Sequence, residues 1–153
     1  MNIAWVYLDK KAAAIRAVKD YRSMDRIVSN YVTELEETRT RMIRAYSPLV
    51  SLAPRSTDTV SPEEERIAGL IDVMDVIEER YRCATEYMGW FLPAWNALDE
   101  SERFILSEFY QTGGVSRDVT VSTISCTLFL ERAQIYRYKD KALERLALLL
   151  YGR

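Results

Sequence analysis

Basic side chains recur at helical spacing near the end of the chain, on a segment that is also strongly amphipathic. Arg132, Arg137, Lys139 and Lys141 are interspersed there with an apolar stripe. We expect this stripe, which is Ile135, Tyr138, Ala142 and Leu146, to face inward. Cationic side chains on one helix face can bind a polyanion, because arginine can donate two hydrogen bonds to guanine and lysine contacts phosphate. The alternative is that they only solvate the outer face of the last helix, and the residues alone leave both interpretations open.

The residue types needed for most catalytic and metal sites are scarce. Histidine is absent, which removes the commonest general base and the usual zinc partner. Of the five glycines, none forms a phosphate-binding loop. Cys83 and Cys126 fit no metal-binding spacing, and we expect each to be a buried, reduced thiol on a helix. The sequence therefore predicts no enzyme, no cofactor and no metal.

Charge is distributed unevenly along the 153 residues. The net charge is only −2, but residues 113–153 carry seven basic and four acidic side chains, against 14 and 19 in residues 1–112. A basic end on an acidic body points modestly to a polyanion partner at that end. No apolar run approaches the ~20 residues that cross a bilayer, and the first eight residues lack the pattern of a signal peptide. We expect a cytoplasmic protein with no membrane partner.

Two long helices are predicted in the first part of the chain. One runs from about residue 7 to 46 on an apolar stripe, and a proline-bearing loop follows over residues 47–61. The stripe consists of Ile27, Tyr31, Leu35, Met42 and Tyr46. The second helix has a start signal in Ser61, Pro62 and Glu64, and we expect it to end near Trp90. Together they predict an antiparallel hairpin with a scaffolding or oligomerising role.

An aromatic cluster surrounds Pro93, where we expect the second helix to break. Trp90, Phe91, Trp95 and Leu98 are interpreted as the core of a junction with the next module. We therefore predict two domains, a helical hairpin over residues 1–95 and a C-terminal module over residues 96–153.

The C-terminal module is predicted to hold three further helices, so that the fold class is all-α. Asp99 and Glu102 form the capping box of the first, and Gly113-Gly114 is expected to end it. Valine and threonine over residues 119–130 favour a strand by propensity, but a strand without a partner is hard to stabilise, so we predict a short helix. The last helix begins near Glu131. A short helix, a tight turn and a basic amphipathic helix are the arrangement that places the second helix in the major groove.

The segment from Ile124 to Leu146, ISCTLFLERAQIYRYKDKALERL, resembles the fourth region of primary sigma factors, which reads the −35 promoter element. It is more similar still to small regulators of phages and integrated elements of Gram-positive bacteria, including the ArpU-like late transcriptional regulators. The ending from Lys141 to Gly152 is similar to the closing signature of such proteins. The resemblance covers most of the chain and is motif-specific from about Leu98 onward.

This resemblance implies roles for individual residues. Phe129 takes the turn position where such modules usually have glycine, and because phenylalanine adopts the left-handed conformation only at a cost, we expect a wider turn. Glu131 takes the helix N-cap position. The resemblance implies that some positions of the last helix face DNA bases and that others lie near phosphates, and Lys139 is added to them. The predicted DNA-binding set consists of Arg132, Ala133, Gln134, Tyr136, Arg137, Lys139 and Lys141.

The leading functional hypothesis is a sequence-specific transcriptional regulator of phage or integrated-element origin. It would bind double-stranded DNA and form a homo-oligomer through the hairpin. Two alternatives stay open. One is a DNA-packaging protein of the small-terminase type, and the other is a non-DNA interaction protein that docks on RNA polymerase.

Overall fold

A computed structural model describes residues 9–46 and 62–152. Over these ranges the chain is all-α, as predicted, with five helices and no strand. They are α1 (Lys10–Tyr46), α2 (Pro62–Asn96), α3 (Glu100–Tyr110), α4 (Arg117–Leu128) and α5 (Arg132–Tyr151). None of these helices is both long and apolar enough to cross a lipid bilayer. The predicted loop over 47–61, with the Ser61 cap, and the first eight residues lie outside the described ranges.

The described residues divide into two compact units. Residues 9–24 and 87–152 form the larger unit, and residues 25–46 and 62–86 form the smaller one, which we call the hairpin unit after the predicted helical hairpin. The sequence-based division between residues 95 and 96 follows helix order along the chain. The compact units follow packing, which joins Val18 and Phe91 to a core that also contains Leu143. Parts of both long helices therefore belong with the C-terminal helices.

Helix α2 continues through Pro93, so the predicted break there is wrong. The helix ends at Asn96 instead of near Trp90. Proline lacks an N–H group and removes one hydrogen bond from a helix interior. Here the loss falls in the last turns, where Phe91 and Trp95 are buried and hold the backbone in place.

The capping box of α3 is confirmed. The Glu102 backbone N–H donates to Asp99 Oδ1 at 2.8 Å, and the Asp99 N–H donates to Glu102 Oε2 at 2.9 Å. The predicted stop at the glycine pair is wrong in position, because α3 ends at Tyr110 with Gln111 as a right-handed cap. Gly114 then takes the positive φ of 82° that turns the chain towards α4.

Residues 117–128 form a helix, as predicted, although their composition favours a strand. Ser116 caps it by accepting the Val119 N–H at 3.5 Å. Thr123 and Thr127 donate their hydroxyl groups to the carbonyls four residues earlier. Burial of Val121 and Ile124 explains why the helix wins, since tertiary packing overrides a weak local propensity.

The larger unit contains two apolar clusters. The first is built on stacked rings, with Phe91 5.2 Å from Tyr87 and 5.4 Å from Trp95 between ring centroids. The predicted core positions Phe91, Trp95 and Leu98 are buried, whereas Trp90 is partly exposed beside Tyr151. The second cluster joins α3, α4 and α5 and consists of Ile105, Val121, Ile124 and Ile135.

The hairpin unit has little interior. Within residues 25–46 and 62–86, only Leu35, Thr38, Ile77 and Ala84 are buried. The Tyr31 and Tyr81 rings stack with centroids 3.9 Å apart. The apolar stripe predicted for the first helix is partly solvent-facing, because Tyr46 is exposed, and Ile71 on α2 is exposed as well.

Candidate nucleic-acid interface

The connection between α4 and α5 is three residues long, and its first residue has the left-handed backbone conformation. Phe129 has φ 55° and ψ 38°, so the expectation of a wider turn is wrong. The Phe129 N–H donates to the Ser125 carbonyl at 2.9 Å, and the Ser125 hydroxyl donates to the Leu130 carbonyl at 2.8 Å. Leu128 and Leu130 both pack against the second cluster, so the change in chain direction falls on Phe129, the residue between them. The Phe129 side chain is 90 % exposed.

The first turn of α5 is fixed by polar contacts. Glu131 is its N-cap, and its N–H donates to Gln134 Oε1 at 3.0 Å. Arg132 pairs with Asp118 at 3.2 Å, which joins the start of α5 to the start of α4. Both partners are well exposed, and such surface pairs contribute only ~0–1 kcal/mol. Asp118 therefore orients Arg132 and can readily release it.

One side of α5 is solvent-facing, and we call it the α5 outer face. It consists of Ala133, Gln134, Arg137, Tyr138 and Lys141. Arg137 and Lys141 are one helical turn apart, so they lie side by side on this face. Neither forms an ion pair or hydrogen bond with any residue in the ranges 9–46 and 62–152. The face therefore presents two uncompensated cations.

Two members of the predicted DNA-binding set lie elsewhere. Tyr136 packs against the second cluster, with its ring 5.8 Å from that of Phe109. Lys139 Nζ lies 5.3 Å from the Phe109 ring centroid and 5.1 Å from that of Tyr136. A cation over two ring faces is attracted by their quadrupoles, and the Lys139 side chain is only 19 % exposed. The structure thus places these two residues between α5 and α3.

Tyr138 was predicted to face inward, and this is wrong because the side chain is 46 % exposed. It belongs to the α5 outer face, between Gln134 and Lys141. The buried stripe is completed instead by Leu143, Ala147 and Leu150, which the prediction left out. The spacing of Ile135, Ala142 and Leu146 already contained this signal, because Leu143 and Leu150 extend the same side of the helix.

Arg145 shows what a structurally engaged cation looks like on this helix. Its guanidinium donates to Glu102 Oε2 at 2.8 Å and to the Ala97 carbonyl at 3.1 Å. It therefore ties α5 to the start of α3. Arg145 thus has a structural role, whereas Arg137 and Lys141 form no such contact within the described residues.

The two cysteines are not part of a site. Both are free and exposed, so the prediction of buried thiols is wrong. Cys83 Sγ lies 3.5 Å from Glu79 Oε1, and this hydrogen bond raises the pKa of the thiol. Cys83 is therefore protonated near neutral pH and is a poor nucleophile. Among the described residues, no three cysteine or acidic side chains come together as a metal site.

No protein-family model, curated protein or solved structure matches the chain. The resemblance of residues 124–146 to sigma region four therefore stays a prediction.

Proposed function

We propose that this chain is a sequence-specific regulator of transcription that binds duplex DNA with α5 in the major groove. The observation that carries the proposal is the α5 outer face, where Arg137 and Lys141 are exposed and uncompensated. This face lies on the second of two helices joined by a tight turn, and the major groove of B-DNA admits one α-helix.

Each residue of the face has a chemically distinct role in this proposal. Arg137 can donate two hydrogen bonds to guanine, a contact that provides ~1–3 kcal/mol of discrimination. The Gln134 side-chain amide nitrogen is not used within the described residues, and it can donate to a base edge or a phosphate. Lys141 supplies a phosphate contact and therefore salt dependence rather than specificity.

The charge of the two units favours the larger one as the DNA-facing part. Its described residues carry 12 basic and 10 acidic side chains, whereas those of the hairpin unit carry seven and 12. A polyanion is attracted to the first surface and repelled by the second. The hairpin unit is therefore assigned the other proposed task, self-association.

Apolar side chains on the hairpin unit support that second task. Val32, Ile43 and Val76 are 60, 70 and 56 % exposed. Val32 and Ile43 are about three helical turns apart on α1 and so share one face, and contiguous exposed apolar surface commonly marks a protein interface. A homo-oligomer formed through this unit would present two copies of α5 to two half-sites of DNA.

Fluorescence anisotropy with labelled duplexes of mixed sequence tests the DNA contact. We expect the double variant Arg137→Gln/Lys141→Gln to bind at least about tenfold more weakly, with a salt dependence reduced by about one to two released counterions. The matched control is Arg16→Gln/Lys19→Gln, which removes the same charge from exposed positions of α1. Equal losses in both variants would show that only net charge matters, and no loss in either would sink the proposal.

A second candidate function is docking on another protein, such as RNA polymerase, through the turn. Phe129 is almost fully exposed, and residues 119–130 contain no charged side chain. A rigidly presented aromatic side chain is typical of a protein-binding anchor. Pull-down of purified bacterial RNA polymerase by the wild-type chain but not by Phe129→Asn, together with no duplex binding at low salt, would favour this function over the first.

A further inference from the structure

A small cavity lies where the end of α3, the segment leading into α4 and the inner side of α5 meet. Its volume is about 150 Å³. Phe109 and Tyr110 line it from α3, Arg117 and Thr120 from α4, and Tyr136 and Lys139 from α5. Arg117 is exposed and Thr120 is only 5 % exposed, so the cavity leads from the surface into the larger unit.

Thr120 behaves differently from the other threonines of α4. Thr123 and Thr127 donate their hydroxyls to a carbonyl of the preceding turn. The Thr120 hydroxyl has no hydrogen bond to any residue in the ranges 9–46 and 62–152. Buried polar groups are nearly always hydrogen-bonded, and Thr120 is both buried and part of the cavity wall. It is therefore available to a molecule that enters.

The charged groups on the cavity wall are both cations. Arg117 forms no ion pair or hydrogen bond within the described residues. Lys139 forms an ion pair with Asp140 at 3.8 Å, but Asp140 is closer to Lys11, at 3.3 Å, and does not line the cavity. The cavity therefore offers positive charge and hydrogen-bond donors to its occupant without an opposing carboxylate on its wall.

The size of the cavity limits the ligand. About 150 Å³ equals the share of roughly five water molecules in the liquid, at ~30 Å³ each. Pockets for drug-sized ligands or cofactors take ~300–1,000 Å³. A nucleotide or a cofactor does not fit inside, whereas a single tetrahedral oxyanion does.

We propose that this cavity binds a phosphate-sized oxyanion, held by Arg117, Lys139 and the Thr120 hydroxyl. Charge-assisted hydrogen bonds from two cations suit an oxyanion, and the hydroxyl adds a neutral donor. Because the wall includes residues from α3, α4 and α5, a bound anion fastens the two helices of the proposed DNA-binding pair to their support. The oxyanion can be free phosphate or a phosphate group of a polynucleotide. The assignment of the site does not depend on the proposed function.

Titration of the full chain with inorganic phosphate at constant ionic strength, followed by amide chemical shifts, tests the site. We expect saturable shifts confined to residues near 115–120 and 136–139. Thr120→Val, which keeps the shape and removes the hydroxyl, and Arg117→Gln should each weaken binding at least about fivefold. Lys19→Gln removes an exposed cation of α1 outside the cavity and should leave binding unchanged. Shifts spread over all exposed cations, or equal shifts with chloride, would overturn the proposal even if a variant fails to fold.

Adding a short duplex distinguishes the two sources of the anion. Displacement of phosphate by the duplex identifies a polynucleotide phosphate as the occupant, and simultaneous binding identifies the free ion. A chain that binds phosphate at the cavity but no duplex would disprove the proposed function and leave the oxyanion site intact.

Discussion

The larger unit and the hairpin unit differ most in what they bury. Of the twenty apolar side chains buried within the described residues, seventeen belong to the larger unit, and only Leu35, Ile77 and Ala84 belong to the hairpin unit. Burial of apolar surface is the dominant stabilising term in folding. The larger unit is therefore stabilised by its own core, whereas the hairpin unit has little interior and leaves several apolar side chains exposed.

This difference is consistent with the two proposed tasks. A recognition surface must be held rigidly, and α5 is anchored by six buried side chains along one side. An association surface needs exposed apolar area, which the hairpin unit provides.

The same substitution in the two units should have very different consequences. We expect Leu146→Ala, at a fully buried position of α5, to lower the free energy of unfolding by about 2–5 kcal/mol, as deletion of a buried leucine usually does. Leu35→Ala in the hairpin unit should produce less than half of that loss. Urea denaturation, followed by the fluorescence of Trp90 and Trp95 in the larger unit, measures the free energy of unfolding of both variants. Equal shifts of the transition would mean that the two units unfold as one block.

Self-association should depend on the hairpin unit alone. We expect Val32→Glu/Ile43→Glu to weaken association by more than about tenfold, because a buried carboxylate without a partner is strongly unfavourable. Leu148→Glu provides the control, since Leu148 is also exposed but lies in the larger unit. Sedimentation equilibrium measures the self-association of both variants. A monomeric wild-type chain, or dissociation by Leu148→Glu, would contradict the assignment.

A tyrosine hydroxyl should matter in the larger unit and not in the hairpin unit. The Tyr87 hydroxyl donates to the Ala17 carbonyl, so Tyr87→Phe should lower stability by about 1 kcal/mol, whereas Tyr81→Phe should not. Burial raises the pKa of Tyr87 well above its ordinary value of about 10. Ionisation is thus easier in the unfolded chain, and stability is lost as the pH rises above 10. Thermal unfolding across that range should show a smaller loss in Tyr87→Phe.

Phe129 should behave as an exception within the larger unit. We expect Phe129→Asn to raise the unfolding free energy by about 0.5–1 kcal/mol, because asparagine tolerates the left-handed conformation and the phenyl ring is almost fully exposed. Chemical denaturation tests this, with Phe104→Asn in the same unit as a destabilising control, since that side chain packs against the second cluster. A loss of stability in Phe129→Asn would show that the ring has a structural role.

Features set by neighbouring residues in the chain could be predicted from the sequence. The Asp99–Glu102 capping box joins residues only three positions apart in the chain, and it was predicted correctly. The Glu131 N-cap position and the helical nature of residues 117–128 were also correct. The lack of a partner strand indicated the helix, against the β-propensity of valine and threonine.

Features set by packing could not be predicted from the sequence. Pro93 stays helical because of the rings buried beside it, and the turn at Phe129 is left-handed because of the anchoring of Leu128 and Leu130. Lys139 reads as a solvated cation in the sequence, yet α3 brings the Phe109 ring to it. The partition of the predicted DNA-binding set into outward and inward residues therefore appears only in three dimensions.

Selection of bound duplexes from a random-sequence pool, compared between the wild-type chain and Arg137→Gln, tests whether α5 reads DNA. We expect the wild-type chain to enrich a defined site and Arg137→Gln to lose its preference at one guanine position, equivalent to about 1–3 kcal/mol of discrimination. Lys141→Gln should weaken binding to all sequences alike. An identical enriched site for the wild-type chain and Arg137→Gln, or no enrichment by the wild-type chain, would contradict the assignment of α5 as the helix that reads DNA.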